Sequence, residues 1–352
     1  MKQTALTLLT ALVLLIGLGA ISAAPHGGPA ASGAAPAGER SFAFTYAVHV
    51  PADPAAEGHE RLWIPLPPSD EHQSIRKLSL KSPVAYREGS DKEYGNSYAV
   101  FTPTAEQAAR GYDVTLEFLV TRREEAKQVS PAAKPAAGAP RAPEAMLRRY
   151  LEPDKLVPLN ATIAGLAREQ TAGATDPVEK ARRIYTYVAT TMHYDKSGEG
   201  WGRGDEMWAC DSKRGNCTDF HSVLIGMLRS SGIPARFLIG FPLPPGKTEG
   251  DIPGYHCWAE FYVEAIGWIP MDASEASKNP ARRDYFFGTV DADRVMFTYG
   301  RDIRLSAEQK GDPLNYFVYP YAESNGQPMK ALTTRFAFRE LHSPPNTAAS
   351  GN

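Results

Sequence analysis

Between residues 215 and 272 the apolar pattern changes period from helical to alternating, and no other stretch restricts the possible folds so strongly. Asn216 is a good N-cap and Asp219 falls in the first turn, while Phe220, Val223, Leu224, Met227 and Leu228 recur at helical spacing. Gly232-Ile233-Pro234 supplies the stop. The spacing therefore predicts a helix that opens at Cys217 and buries one face. Residues 235–241 and 255–263 then read as strands, and after a turn over 264–267 residues 268–271 return antiparallel to the second. Along that second strand His256, Trp258, Glu260 and Tyr262 share one face, and Cys257, Ala259, Phe261 and Val263 the other.

Three residues in this frame carry chemistry together. A thiol in the first turn of a helix feels unpaired backbone N–H groups and the positive end of the macrodipole, and both favour thiolate. Neighbouring strands lie about 4.8 Å apart, so Asp272, at the end of the returning strand, comes level with His256. Cys217, His256 and Asp272 thus read as a nucleophile, its base and the group that orients the base.

The segments Gly215-Asn216-Cys217-Thr218-Asp219-Phe220, Leu228-Arg229, Gly232-Ile233-Pro234-Ala235-Arg236, His256-Cys257-Trp258-Ala259-Glu260 and Trp268-Ile269-Pro270-Met271-Asp272 resemble the core motifs of the transglutaminase-like superfamily. The resemblance covers about residues 145–280. It implies an α+β fold with a papain-like core, catalysis by Cys217, His256 and Asp272, and thiol acyl chemistry, a class that includes proteases, amidases and crosslinking enzymes. It also implies an aromatic near Tyr194 that helps to hold an oxyanion.

At the start of the chain, Lys2, an apolar run over 5–21 and then Ser22-Ala23-Ala24 read as a secretory signal peptide spanning residues 1–24, which places the mature chain in the periplasm or outside the cell. The run approaches the shortest spanning length, which leaves an uncleaved anchor as the alternative. Residues 25–40, rich in Ala, Pro and Gly, read as a flexible tether. From Ser41 strict alternation begins with Phe42, Phe44, Tyr46, Val48 and Val50, and further short alternating runs up to residue 122 predict a small all-β sandwich ahead of the papain-like core. Residues 123–142 read as an Ala/Pro-rich linker, residues 143–342 as the catalytic domain with C-terminal strands, and 343–352 as a disordered tail.

Within the catalytic segment, apolar stripes predict helices around 145–150, around 163–167 and from Pro177 to about residue 192. Tyr194 to Cys210 reads as an irregular, glycine-rich wall, and Tyr194, Trp208 and Trp258 are the candidate substrate-binding aromatics. Residues 315–321 form an aromatic stretch that closes back over the domain.

A net charge of −2 gives no basic footprint for nucleic acid. No CxxC pair, HExxH or phosphate-cradling loop occurs, so neither a metal nor another cofactor is expected. Asp291 and Asp293 are spaced as two potential cation ligands, which more often are simply solvated. The expected partner is a protein or peptide substrate, with no stable membrane insertion after signal cleavage. Hydrolysis is the favoured outcome of the acyl chemistry; acyl transfer to an amine and a catalytically silent scaffold are the alternatives.

The three cysteines admit three arrangements: Cys210 with Cys257, Cys210 with Cys217, or all reduced. On strand alternation, Cys257 points away from Cys217.

Overall fold

The structure is a computed structural model that describes residues 38–56, 58–130 and 142–341. The segments read as signal peptide and tail, and most of those read as tether and linker, lie outside those residues. The alternating apolar residues from Phe42 onward form the inner face of a long strand, Glu39–Val50, which pairs along its whole length with Tyr112–Arg123. Two five-stranded antiparallel sheets follow from such pairings. One runs Glu249–Asp251, Thr333–Glu340, Glu39–Val50, Tyr112–Arg123, Gln73–Lys81; the other runs Gln327–Pro328, Tyr321–Ser324, Glu60–Pro65, Ser97–Phe101, Tyr86–Ser90. Their facing apolar residues share one buried cluster, and Tyr112 Oη donates across it to the buried Glu60 at 2.8 Å.

Neither sheet is made from the N-terminal residues alone. The sequence reading places the C-terminal strands with the catalytic segment, but Thr333–Glu340 pairs with Glu39–Val50, and Tyr321–Ser324 pairs with Glu60–Pro65. Strand patterning gives a strand's inward face and leaves its partner open, which is why this pairing is invisible to alternation. The reading of 123–142 as linker also begins too early, since Glu125–Ala126 pairs with Thr289–Val290.

A third, four-stranded antiparallel sheet carries the candidate site. Its order is Gly267–Met271, His256–Val263, Ala235–Pro242, Arg294–Tyr299. Phe241 and Phe297 from this sheet pack on Phe44, Tyr46 and Phe336 of the first, with Phe241 and Phe336 centroids 4.3 Å apart. The helix Cys217–Ser230 lies against the strand His256–Val263, and Ala161–Gln170, Pro177–Thr191 and Glu206–Ser212 surround it.

That enclosure changes the meaning of the helix's polar side. Every residue from Cys217 to Arg229 is buried, not one face only. A polar side chain buried without a partner costs about 1–3 kcal/mol, and here the buried polar residues are engaged. Ser222 Oγ donates to Gly204 O at 2.8 Å, and Arg229 Nη1 meets Asp154 at 2.7 Å.

Candidate functional site

The start of the helix is held by a capping box. Asn216 Oδ1 accepts from Thr218 N at 2.9 Å, and Asp219 Oδ2 accepts from Asn216 N at 2.9 Å. The Asp219 carboxylate, fully buried, also accepts from Gly202 N at 2.7 Å and Gly204 N at 2.9 Å. It therefore ties the glycine-rich wall to the first turn, a larger task than favouring the helix dipole. Gly215 is glycine because a Cβ there would run into that carboxylate, and its φ is +145°.

Cys217 occupies the first helical position and is 1% exposed. Its N–H has no carbonyl four residues back to bind and stays directed out of the helix end. His256 begins its strand, and Nε2 donates to Asp272 Oδ2 at 2.6 Å, which leaves Nδ1 for the thiol. Asp272 is completely buried, and each of its oxygens is occupied. Oδ2 also accepts from Arg294 Nη1 at 3.3 Å, while Oδ1 accepts from Ser274 Oγ and Glu275 N, both at 3.0 Å. The last bond makes Asp272 the N-cap of the helix Ala273–Lys278. The carboxylate that meets the imidazole is thus fixed by the chain that follows it.

Electrostatics follow from this packing. Burial alone would push the Cys217 thiol up, but hydrogen bonding from Cys257 and His256 and the nearby imidazoles more than reverse this, and its pKa lies well below the ordinary thiol value. Burial would likewise lower His256; the Asp272 charge and hydrogen bond, with Cys217 beside it, raise it to about 10. Asp272 is held far below the usual carboxylate range: its burial is outweighed by His256, Arg294 and His221. Both shifts favour the thiolate on Cys217 and the imidazolium on His256 over the neutral pair.

Cys257 departs from the expectation that it points away. The strand face it shares with Ala259 and Phe261 is the face the helix covers, so its thiol sits close enough to Cys217 for each to shift the other's pKa. All three cysteines are unpaired, and Cys210 Sγ lies 3.7 Å from Lys213 Nζ.

The aromatic candidates divide. Tyr194 borders a cavity of about 550 Å³ that His256, Tyr255, Lys196, Glu275 and Lys278 also line. Its ring packs 6.2 Å from Phe220, and burial followed by the Cys217 charge raises its pKa. Trp208 does not reach this cavity; it packs on Gly200 and under Arg214. Trp258 is corrected from binding residue to core residue: it is 1% exposed, beneath Arg294, in a cluster with Leu238, Val290 and Met296. From the C-terminal aromatic stretch, Tyr316 and Tyr319 pack on Tyr255, whose hydroxyl bonds Thr218 Oγ1 at 2.6 Å. Asp291 and Asp293 are taken by Arg294 and Arg40.

Residues 164–273 match the transglutaminase-like superfamily. The chain carries a transglutaminase-like core. Over 328 residues, 83% of this chain and 87% of the other, it is 26% identical to an uncharacterized protein of Haemophilus influenzae. It is also 26% identical over 149 residues to the uncharacterized protein YebA of Bacillus subtilis, covering 38% of this chain and 20% of that one. A crystal structure of a candidate cysteine protease from Cytophaga hutchinsonii superposes with a TM-score of 0.57 at 16% identity, over 88% of this chain and 93% of that one. This last likeness concerns the fold. Among the described residues, no helix is long and apolar enough to cross a membrane.

Two residues around the transglutaminase-like core's candidate site, and one further role of Asp272, escape sequence reasoning. Arg294 arrives from a strand that alternation marks only as apolar. His221 stands four residues after Cys217, one turn along the same helix, and that spacing is the signal that could have found it. The capping role of Asp272 is written in Asp272-Ala273-Ser274-Glu275, an N-cap pattern with an acid three residues on.

Proposed function

We propose that this chain is an exported thiol enzyme that hydrolyses amide bonds of proteins or peptides through a thioester on Cys217. The observation that carries the reading is the pairing of His256 with a completely buried Asp272 at 2.6 Å, beside a thiol at a helix start. The Cys217 thiolate attacks the amide carbonyl, forming a C–S bond, and the Cys217 backbone N–H stabilises the oxyanion. His256 gives its Nδ1 proton to the leaving amine as the C–N bond breaks. Neutral His256 then takes a proton from water, whose oxygen displaces the thiolate and releases the acid. Asp272 holds the imidazole in the tautomer this requires. The cavity of about 550 Å³ beside His256 gives a second acyl acceptor access to the site. The apolar run at residues 5–21 supports export.

The test is incubation of the purified protein with a complex envelope-protein digest, reading both cleavage and isopeptide products by mass spectrometry. Cleavage products that vanish in Cys217→Ala are expected. Isopeptide products without cleavage would assign acyl transfer instead, and no Cys217-dependent product with any amide would leave the chain a scaffold.

A further inference from the structure

His221 is completely buried against the candidate site, and the acyl chemistry gives it no step. Its Nδ1 lies 2.8 Å from the carbonyl oxygen of Cys217, so Nδ1 carries the proton and donates. Nε2 is then unprotonated and accepts the backbone N–H of Ala273 at 3.3 Å. A single rigid ring therefore spans from the first residue of the nucleophile helix to the residue that follows Asp272. Cys257 Sγ touches Nδ1 at 3.6 Å, and Asp272 Oδ1 stands 3.7 Å from Nε2.

We propose that His221 is a positioning residue which, as the Nδ1–H tautomer, sets the distance between Cys217 and the Asp272 turn and thereby the alignment of His256 on the thiolate. The inference rests on the reading of Cys217 as nucleophile. The helix and the aspartate turn belong to separate elements, and misplacement of a reacting group by about 1 Å can cost about 10²-fold in rate. An apolar side chain would fill the space but would leave the Ala273 N–H without its acceptor. The ring must also stay neutral. Protonated, Nε2 would become a donor, release Ala273 and compete with His256 for Asp272. The groups that bear on this balance are Cys217 on its own helix, His256 and Cys257 on the neighbouring strand, and Asp272 on the turn. Burial holds the His221 pKa below the ordinary imidazole value against the opposing charges of Asp272 and Cys217.

The experiment measures alkylation of Cys217 by iodoacetamide across pH, resolved from Cys210 and Cys257 by peptide mapping. The full chain is compared with His221→Phe, His221→Asn and His221→Gln. In the wild type, the acid limb is expected well below the ordinary thiol range. His221→Phe should move that limb up by about one pH unit and lower kcat about tenfold or more with little change in KM. His221→Asn keeps a donor toward the Cys217 carbonyl and should fall between; His221→Gln, which keeps an acceptor toward Ala273, should do so as well. A role in packing alone would lower the melting temperature and leave the alkylation profile in place, which would overturn the inference. If His221→Phe does not fold, an unchanged profile in His221→Asn overturns it equally. A low wild-type profile unmoved by the variants removes this inference alone, whereas an ordinary thiol profile in the wild type removes the nucleophile reading together with it.

Discussion

In the proposed mechanism a proton on His256 and none on Cys217 define the working state, and the two shifts give its pH window. His256 is raised to about 10, so the imidazolium is present below that pH and lost as pH rises through it. The thiolate is lost in the opposite direction, as pH falls through a value well below the ordinary thiol range. Turnover should therefore hold a broad plateau through neutrality and decline near pH 10. Asp272→Asn removes the main influence raising His256, so its alkaline limb should move to lower pH and kcat should fall on the order of 10²-fold or more; an unmoved limb would separate Asp272 from the imidazole's titration. Asn still caps helices well, so the fold should persist. Cys217→Ala and His256→Ala should each cost on the order of 10⁴-fold or more in kcat, measured by peptide cleavage, with the melting temperature close to wild type. Asp219 differs from these, since removing its carboxylate orphans three backbone N–H groups, and Asp219→Ala should lower stability and activity together.

The helix Cys217–Ser230 shows what an element's sequence tells and what it withholds. Its start and approximate end follow from Asn216 and Gly232, and the strands beside it from simple alternation, because caps and periods are local. Its enclosure on every side, the pairing of Thr333–Glu340 with Glu39–Val50, and the approach of Cys257 to the thiol all depend on which faces meet in space. Periodicity assigns residues to faces and says nothing of what covers them, so Cys217, His256 and Asp272 were legible while His221 and Arg294 were not. Gly226 is a further case: it lies mid-helix, and a Cβ there would overlap the carboxyl of the completely buried Glu206. Gly226→Ala should cost about 1–3 kcal/mol by overpacking, and adding Glu206→Ala should recover part of it; strict additivity in thermal melts would argue against the contact. Burial first of all raises Glu206 from 4.5 to about 8. Its folded form thus binds a proton that the unfolded chain releases near pH 4.5, so this group subtracts stability progressively as pH rises from 4.5 to about 8. Glu206→Gln should gain melting temperature over wild type at pH 9 relative to pH 5, and a difference independent of pH would refute the assignment.

At the scale of the whole chain, the sheet that bears His256 leans on the sheet that bears Phe44. A fragment beginning near Pro143 would expose Phe241 and Phe297 and strip Thr333–Glu340 of its main partner, Glu39–Val50. Such a fragment should be insoluble or lack a cooperative melt, and a soluble, fully active one would show that this packing is dispensable. Truncation before Tyr321, which takes two strands from one five-stranded sheet and one from the other, should be as damaging as removal of the N-terminal strands. The closure of the chain on itself also bears on timing. Its first described strand pairs residue by residue with its last, from Phe42 opposite Glu340 to His49 opposite Thr333, a separation of nearly the entire polypeptide. Contacts so distant form late and slowly. During synthesis the first strand must wait until Thr333–Glu340 emerges, so the scaffold supporting the thiol is completed late. On the proposal that the chain is exported, that delay keeps it threadable while it travels, and Cys217, the proposed nucleophile, is set in place only on arrival.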